Sequence, residues 1–524
     1  MECQDIQIEK NLPQKKEKHK LEKEEVEKQE EEQRSRNQEE NQEETEQREK
    51  RKKKKEMDER YFECELPTYE EFVKKQRKLL TEDEMIELFK SPILDYLKKK
   101  CHELQTHLKE SNGYSVYTGE CGAFFALARA YEFQQLTKVE LLSPSFSFSS
   151  FQFIQDLKSR EGRIKYLASK RRKSGEIRLT FLSGYTGILC ALLVYFIKIE
   201  KLSNHLLKDK VDELLEEIGL KGDSKYSLSN EIFLSMEADE LLFGRAGIIY
   251  SFIFATQLCA SLTTINLEPI EKLTKIMIRR GENNLKVMNF TKGNSTPPLY
   301  YTWHRSDYLG FVHGLAGICQ IILNKISFLP NSTSNENHWK LVQSTIDFIL
   351  TRQFGSGNFP SRILGPSEDK LVQFCHGAPG VLLLLNSYIT SLNEREIDHQ
   401  YQSKIVKSAR LTADCIWKRG LLRKGNSLCH GICGNAYSFL GLYNATKNRE
   451  MLYYSLKFAE FATNLDHANH TTTNFALTMT PDCPYSLYEG IAGHILLMCD
   501  VLQPSNSLLI GAELKDSRVF LDKL

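Results

Sequence analysis

The stretch LCHGICGNAYSFLGLY, residues 428–443, contains a Gly-x-x-Gly motif that is followed at once by an apolar run. Further copies of the motif recur along the chain at a spacing of roughly 60 residues, which is the signature of an internal repeat. A single copy would carry little weight, but seven copies at near-constant spacing indicate a repeated architecture. The seven are GECG (119–122), GYTG (184–187), GRAG (244–247), GLAG (314–317), GAPG (377–380), GICG (431–434) and GIAG (490–493).

The segments between the glycines indicate two kinds of helix. The run after each motif, such as ILCALLVYFI (188–197) or VLLLLNSYI (381–389), is apolar almost all round, as a buried helix is. Between these runs lie amphipathic stretches such as SKIVKSARLTADCIWKR (403–419). Each repeat therefore predicts one outer amphipathic helix and one inner buried helix. Because the inner helices are too apolar to line an exposed concave face, we expect the repeats to close. The sequence predicts an all-α, seven-fold, double-layered (α/α) barrel, or toroid, over residues 58–524.

Residues 1–57 form a charged N-terminal extension rich in Glu, Lys, Gln and Arg. A segment of this composition cannot bury enough apolar surface to offset its ordering entropy, so we expect it to be disordered or a solvated helix. It ends in KRKKKK (50–55), which is either a solvated charge block or a nuclear import or anionic-surface signal.

Charge and composition limit the classes of function and the cellular location that we expect. The net charge of +1 gives no global bias toward nucleic acid. The longest apolar run, near 187–197, is too short to span a membrane, so no transmembrane segment is expected. The 13 cysteines are scattered singly, which favours a reducing compartment over a disulfide framework. We expect a cytoplasmic protein, with the nucleus as a second location if the basic run acts as an import signal.

Two copies of the repeat carry Cys-His directly before the first glycine: Cys375-His376 and Cys429-His430. Two thiolates and one imidazole at one barrel mouth are a donor set suited to zinc, with a fourth position left for water or substrate. The structural alternative is two buried cysteines and two core histidines. The common repeat phase favours the metal site, because it places both pairs at equivalent points of neighbouring repeats.

Other polar residues at the motifs are candidates for the chemistry around such a site. Zinc with an open position would bind a thiol and lower its pKa, which indicates a sulfur nucleophile. His313, in the same phase, is a candidate general acid. Asp239 is a candidate to orient a base or bind an ammonium group, with Glu240 as its competitor, and Lys424 is a candidate to bind a substrate carboxylate. Each also has a plain structural alternative: a core histidine, a helix cap and a solvated lysine.

Several motifs together resemble the eukaryotic LanC-like proteins, relatives of the bacterial lanthionine cyclases, from about residue 60 to 515. The motifs are DELLFGRAG (239–247), HGLAGI (313–318), CHGAPGV (375–381), GLLRKG-x-x-LCHG-x-x-GNAYSFL (420–440), LYNAT (442–446), KFAEF (457–461) and TPDCPYSLYEGIAG (480–493). The resemblance implies an α/α toroid with seven inner helices. It also implies zinc (Zn2+) held by Cys375, Cys429 and His430, which leaves His376 outside the ligand set.

The resemblance further implies an activity. Bacterial relatives add a peptide thiol to dehydroalanine or dehydrobutyrine to form thioethers, and eukaryotic members bind glutathione and are linked to adding it to dehydroamino acids in proteins or peptides. It implies an acid/base role for His313 assisted by an acid near Asp239, and glutathione contact by Lys424. Two positions depart from the family pattern and bear on glutathione affinity: Phe374 stands in place of Trp, and Met479 in place of Arg.

Three function classes follow from the sequence. The first is a zinc-dependent enzyme that forms carbon–sulfur bonds. The second is a non-catalytic zinc- and glutathione-binding scaffold that acts through partners of the charged extension. The third is a glycoside hydrolase, because α/α barrels also host those. It would need two facing carboxylates, for which Glu120 and Glu489 are the repeat-phase candidates.

Overall fold

The computed structural model describes residues 60–110, 113–170, 178–222, 236–287, 296–364, 368–395, 397–471 and 481–513. Within these ranges the chain is built from helices and connecting loops. The only β-structure described there is four isolated β-bridges. The α-helices are α1 (Tyr69–Gln76), α2 (Glu82–Thr106), α3 (Glu120–Thr137), α4 (Gln152–Leu157), α5 (Arg160–Lys170), α6 (Tyr185–Val194), α7 (Asn204–Ile218), α8 (Arg245–Cys259), α9 (Glu268–Val287), α10 (Leu315–Phe328), α11 (Asn335–Thr351), α12 (Ala378–Asn393), α13 (His399–Arg419), α14 (Ile432–Thr446), α15 (Arg449–Thr471) and α16 (Ile491–Leu502).

The helices that follow the seven glycine motifs form a closed inner ring. In chain order α3, α6, α8, α10, α12, α14 and α16 each pack against the next, and α16 packs back against α3. Their side chains are buried along most of their length, as the apolar sequences require. The predicted closure and the all-α, seven-fold inner layer are confirmed.

The amphipathic helices form the outer layer. The helices α7, α9, α11, α13 and α15 pack against α6, α8, α10, α12 and α14, respectively. The long helix α2, near the N-terminal end of the described chain, packs chiefly on the last inner helix, α16, so the outer layer joins the two ends of the ring as well. The second repeat is irregular, because the short helices α4 and α5 stand where the other repeats have one long outer helix.

Both glycines of each motif have a defined structural role. The first glycine is the N-cap of its inner helix in all seven copies, so every inner helix begins at the following residue. The second glycine packs on the loop that leads into its own helix. At Gly187, for example, a β-carbon would lie 1.8 Å from the carbonyl oxygen of Phe181 and 3.0 Å from a side-chain carbon of Val116 in the neighbouring repeat. The missing β-carbon is therefore a steric requirement of the turn.

We expect Gly187→Ala to lower the free energy of unfolding by about 2–3 kcal/mol, because the backbone oxygen in its way cannot move without disturbing the turn. Gly355→Ala is the matched control, because nothing lies within 4 Å of its β-carbon position. Denaturant unfolding of the two variants beside the parent protein measures the difference. Equal stabilities of the two variants would contradict the steric role.

A belt of backbone hydrogen bonds joins the seven loops just before the inner helices. Each loop donates an N–H to a carbonyl of the next repeat, and the belt closes on itself. The bonds are Tyr117 N to Leu182 O (2.8 Å), Phe181 N to Gly247 O (3.2 Å), Leu241 N to Val312 O (3.1 Å), Phe311 N to Cys375 O (3.2 Å), Cys375 N to Cys429 O (3.4 Å), Cys429 N to Tyr488 O (2.9 Å) and Tyr488 N to Tyr117 O (3.1 Å). Residues of equal repeat phase are thereby placed side by side around one end of the barrel.

The C-terminal segment 507–513 fills the centre of the ring. Residues 508–512 are buried, and Gly511 has a positive φ of 88° where a β-carbon would meet the side chain of Leu182. The Tyr250 hydroxyl accepts from Gly511 N at 2.8 Å and donates to Glu513 O at 3.0 Å, while the Tyr488 hydroxyl donates to Ile510 O at 2.7 Å. This segment, called the plug below, closes the ring's axis from the end opposite the belt.

Two further predictions can be compared with the described part of the chain. None of the helices there has both the length and the hydropathy to cross a membrane. The cysteines described are all free thiols. The predicted extension 1–57 lies outside the described residues and stays a prediction.

Candidate functional site

The belt explains why two cysteines far apart in sequence meet. Cys375 and Cys429 stand at the same phase of neighbouring repeats and are joined directly, N–H to carbonyl, at 3.4 Å. His430 follows Cys429 and faces the same mouth. One ligand atom from each of the three residues, the two Sγ atoms and an imidazole nitrogen, lies within 4.8 Å of the others. This separation is close to what four-coordinate zinc needs, since Zn–S is about 2.3 Å and Zn–N about 2.0 Å.

The protonation of the cluster also suits a metal. The Cys429 thiol donates to Cys375 and so lowers the pKa of Cys375, against the opposing effect of burial. Burial raises the pKa of Cys429, so Cys375 is the more readily ionised of the two thiols. Burial, reinforced by the charge of Lys424, lowers the pKa of His430 to about 4. A neutral imidazole and a deprotonated thiol are the forms that bind a cation. The N-termini of the inner helices point to this end and add a favourable potential for anions.

Two residues support the sulfur atoms from beside the cluster. The buried Gln373 amide donates to Cys375 Sγ at 3.0 Å. The Tyr117 hydroxyl hydrogen-bonds with Cys429, and its ring stacks on Tyr488 at 4.7 Å between centroids. Hydrogen bonds to ligand atoms fix their orientation and tune the metal. Tyr117 stands at the same repeat phase as the two cysteines, so a phase alignment of the motifs could have identified it, whereas no sequence signal distinguishes Gln373.

His313 is held by an acid from the neighbouring repeat. Its Nδ1 lies 2.9 Å from Oε2 of Glu240, which is 2% exposed. The Glu240 carboxylate also accepts from Leu242 N at 2.9 Å and Phe243 N at 2.6 Å. A buried carboxylate fixed in this way orients the imidazole. The ring is flanked by Phe243, whose centroid lies 6.0 Å away.

The acid beside His313 is therefore Glu240, the competitor, and not the predicted Asp239. Asp239 accepts from Arg245 at 2.7 Å through one carboxylate oxygen and from Arg280 at 2.9 Å through the other. Arg245 is fully buried and also donates to the carbonyl of Ala238. Asp239 thus belongs to an ion network that anchors the loop carrying Glu240.

The remaining mouth histidine, His376, stands between His313 and His430 in ring order. His376 lies outside the cluster, and Tyr308 has its centroid 5.4 Å from His376 and 5.9 Å from His313. Burial lowers the pKa of His376 to about 4, with smaller effects from the charges of His313, His430 and Lys424. Lys424 is exposed at the mouth, close enough for its charge to act on Cys375 and His430.

The other residues singled out by sequence have different surroundings. Phe374 is fully buried against Phe311 and Tyr488, with centroids 5.2 and 5.6 Å away, so the departure from Trp falls in the packing beneath the belt. Met479 lies outside the described residues. Glu120 accepts from Phe153 N of α4 at 2.9 Å. Glu489 precedes the last motif, and its pKa is raised by burial.

Comparison with known proteins shows the family of the chain. The family model "Lanthionine synthetase C-like protein" matches residues 94–514. The chain is 31% identical over 345 residues to a zebrafish (Danio rerio) protein named glutathione S-transferase LANCL1, which covers 66% of this chain and 76% of that protein. It is 30% identical over 278 residues to the Arabidopsis thaliana LanC-like protein GCL1, which covers 52% of this chain and 58% of that protein.

Among solved structures, nisin cyclase is similar at a TM-score of 0.49 and 17% identity, covering 82% of this chain and 98% of that chain. The family model spans the inner helices and every candidate site residue discussed above. The chain belongs to the lanthionine synthetase C-like family.

Proposed function

We propose that this protein adds glutathione, through its sulfur atom, to dehydroalanine and dehydrobutyrine residues of proteins or peptides. The product is a thioether. The observation that carries the proposal is the Cys375–Cys429–His430 cluster at the same barrel mouth as the His313–Glu240 pair. A relative named glutathione S-transferase supports the choice of thiol.

Zinc fits the cluster by its donor chemistry. Two sulfurs and a neutral imidazole make a three-ligand set that leaves one tetrahedral position for an incoming ligand, the pattern of catalytic rather than structural zinc sites. Zinc bound by Cys375, Cys429 and His430 would take the glutathione sulfur as a thiolate at neutral pH. Gln373 and Tyr117 hold the two cysteine sulfurs in place by hydrogen bonding.

The addition itself is balanced by one proton. The glutathione sulfur forms a bond to Cβ of the dehydroamino acid, and the double-bond electron pair moves to Cα and its carbonyl. His313, oriented by Glu240, donates a proton to Cα. The proton that the thiol released earlier then returns to His313 through solvent. His313 is the catalytic residue in this scheme, and Glu240 is a positioning residue. Asp239 positions the loop of Glu240 through Arg245 and Arg280.

The proposal is tested by incubating the zinc-loaded protein with glutathione and a dehydroalanine peptide. Mass spectrometry of the peptide is expected to show the glutathione adduct, formed faster than in the buffer control. A protein that holds one equivalent of zinc and binds glutathione but forms no adduct above background would instead be the non-catalytic scaffold. The departures at Phe374 and Met479 make that outcome worth measuring directly.

Lys424 is proposed to bind a glutathione carboxylate. We expect Lys424→Ala to raise the KM for glutathione by about ten-fold with a smaller change in kcat, because an exposed ion pair contributes binding rather than chemistry. Arg423→Ala is the control: this neighbouring exposed cation lies over the ring of Phe62, 4.5 Å from its centroid. Steady-state kinetics at varied glutathione concentration measures the KM of each variant. Equal KM values for both variants would remove Lys424 from the binding site.

A further inference from the structure

Two aromatic side chains border His313 on the side away from the cluster. The ring centroid of Phe243 lies 6.0 Å from that of His313, and the ring centroid of Trp303 lies 5.7 Å from that of Phe243. Phe243 belongs to the repeat before that of His313 and Cys375 to the repeat after it, so the two lie on opposite sides of His313 in ring order. Phe243 and Trp303, called the aromatic wall below, are half-buried, and the proposed function assigns neither a role.

The turn that carries Trp303 has an unusual backbone conformation. His304 and Arg305, at its centre, have φ angles of 48° and 62°, a region that residues with a side chain seldom adopt. Positive φ at both central residues is the mark of a type I′ turn, which normally takes Asn-Gly. The turn is closed by two backbone hydrogen bonds between Trp303 and Ser306, at 2.8 and 3.0 Å. Such a conformation persists only where the surroundings fix it, so Trp303 stands on a rigid support.

Asp307 supplies part of that support from directly behind the turn. Its carboxylate is buried and accepts from Arg362 Nε at 3.0 Å, while its carbonyl accepts from Ile363 N at 2.8 Å. These contacts join the turn to the loop that follows α11. Because the turn is already ordered, little further conformational entropy is lost when a ligand contacts it.

Trp303 is the member of the aromatic wall with surface to offer a ligand. Phe243 is already packed on several sides, because the guanidinium carbon of Arg178 lies 4.6 Å from its ring centroid in addition to the contacts with His313 and Trp303. Phe243 therefore backs the wall. A tryptophan ring presents a large, rigid and mostly apolar surface, which suits the recognition of another apolar or aromatic side chain.

The acceptor passes this wall when it is positioned for reaction. In the proposed function, Cβ of the dehydroamino acid faces the glutathione sulfur and Cα faces His313. Consecutive Cα atoms of a peptide are about 3.8 Å apart. The residue on the far side of the dehydroamino acid from the cluster therefore brings its side chain to the aromatic wall.

We propose that the aromatic wall binds an apolar or aromatic side chain of the acceptor, at the residue adjacent to the dehydroamino acid. The inference rests on the proposed function, which places the acceptor at His313. Trp303 is a specificity-determining residue in this scheme, since it selects among dehydrated sites by their neighbouring side chain. It contributes nothing to the binding of zinc or glutathione.

Dehydroalanine peptides that differ only in one adjacent residue, phenylalanine or glycine, measure the preference. The phenylalanine is placed before the dehydroalanine in one pair of peptides and after it in a second pair. With zinc-loaded protein and glutathione, kcat/KM is expected to be about ten-fold higher for the phenylalanine peptide in one of the two pairs. Trp303→Ala should remove this preference and Trp303→Phe should keep most of it, while zinc content and the KM for glutathione stay at the parent values. Thr302→Ala, an exposed change in the same loop, is the matched control and should keep the full preference.

A binding measurement without glutathione tests the wall independently of catalysis. Alanine in place of dehydroalanine gives peptides that cannot react. Trp339 and Trp417 are only 4% and 8% exposed, so a change of tryptophan emission when a peptide covers the surface reports on Trp303. The phenylalanine peptide should change the emission saturably and the glycine peptide should not, and Trp303→Phe should lose the change.

The two measurements separate this inference from the proposed function. Adduct formation with equal kcat/KM for both peptides of each pair would overturn the role of the wall and leave the proposed function standing. A saturable emission change without adduct from any peptide would support the wall and overturn the proposed function. A preference that survives in Trp303→Ala, or emission that does not respond to the phenylalanine peptide, would also overturn the assignment.

Discussion

Cys429→Ala is expected to abolish stoichiometric zinc and, with it, adduct formation. Removing one of three protein ligands leaves a two-ligand site, and we expect metal affinity to fall by at least roughly 10³-fold. Cys429 also donates to Cys375, so its loss removes the interaction that favours the neighbouring thiolate. Zinc per protein, measured by plasma emission spectrometry after gel filtration, should fall from about one equivalent to background.

The control for this variant is Cys433→Ala. Cys433 is the second residue of α14, four residues after Cys429. It is fully buried and lies outside the cluster, so its loss removes a core thiol without removing a ligand. We expect it to retain zinc and adduct formation. If Cys429→Ala kept a full equivalent of zinc, or kept glutathione addition at the parent rate, the cluster would not be the site of the chemistry.

The architecture and the cysteine pair were predictable because both depend on repeat phase. Each inner helix begins directly after the first glycine of its motif, so the motif positions mark the helix starts. Residues at equal distance before that glycine then fall side by side in the belt. Cys375 and Cys429 occupy that position in neighbouring repeats, so their proximity follows from the spacing and closure alone.

The acid that orients His313 was harder to predict, because Asp239 and Glu240 are adjacent and both precede the same motif. Successive residues of a turn point in different directions, and the turn here aims Glu240 at His313 and Asp239 at Arg245. Gln373 gives no sequence signal, because its contact with Cys375 comes from the local turn. The plug could not be predicted either, since residues 507–513 follow the last repeat and match no motif.

His313→Asn tests the proton-transfer step separately from the metal. We expect kcat for adduct formation to fall by about 10²–10⁴-fold, the usual contribution of a positioned acid or base, while zinc content and glutathione binding stay at the parent values. Retained zinc distinguishes this loss from that of Cys429→Ala. An unchanged kcat in a zinc-loaded variant would assign the proton to solvent or to another mouth residue.

The partner of His313 is tested by a double-mutant cycle with Glu240→Gln. Gln keeps an oxygen for the amides of Leu242 and Phe243 but removes the negative charge beside the imidazole. If Glu240 acts only through His313, its substitution lowers kcat in the parent and has little further effect in His313→Asn, since residues that act as a unit are not additive. Asp239→Asn should lower stability through Arg245 and Arg280 without lowering kcat at temperatures where the variant is folded. A kcat loss in Asp239→Asn larger than in Glu240→Gln would return the orienting role to Asp239, because only the acid in contact with the catalytic imidazole can orient it without unfolding the loop.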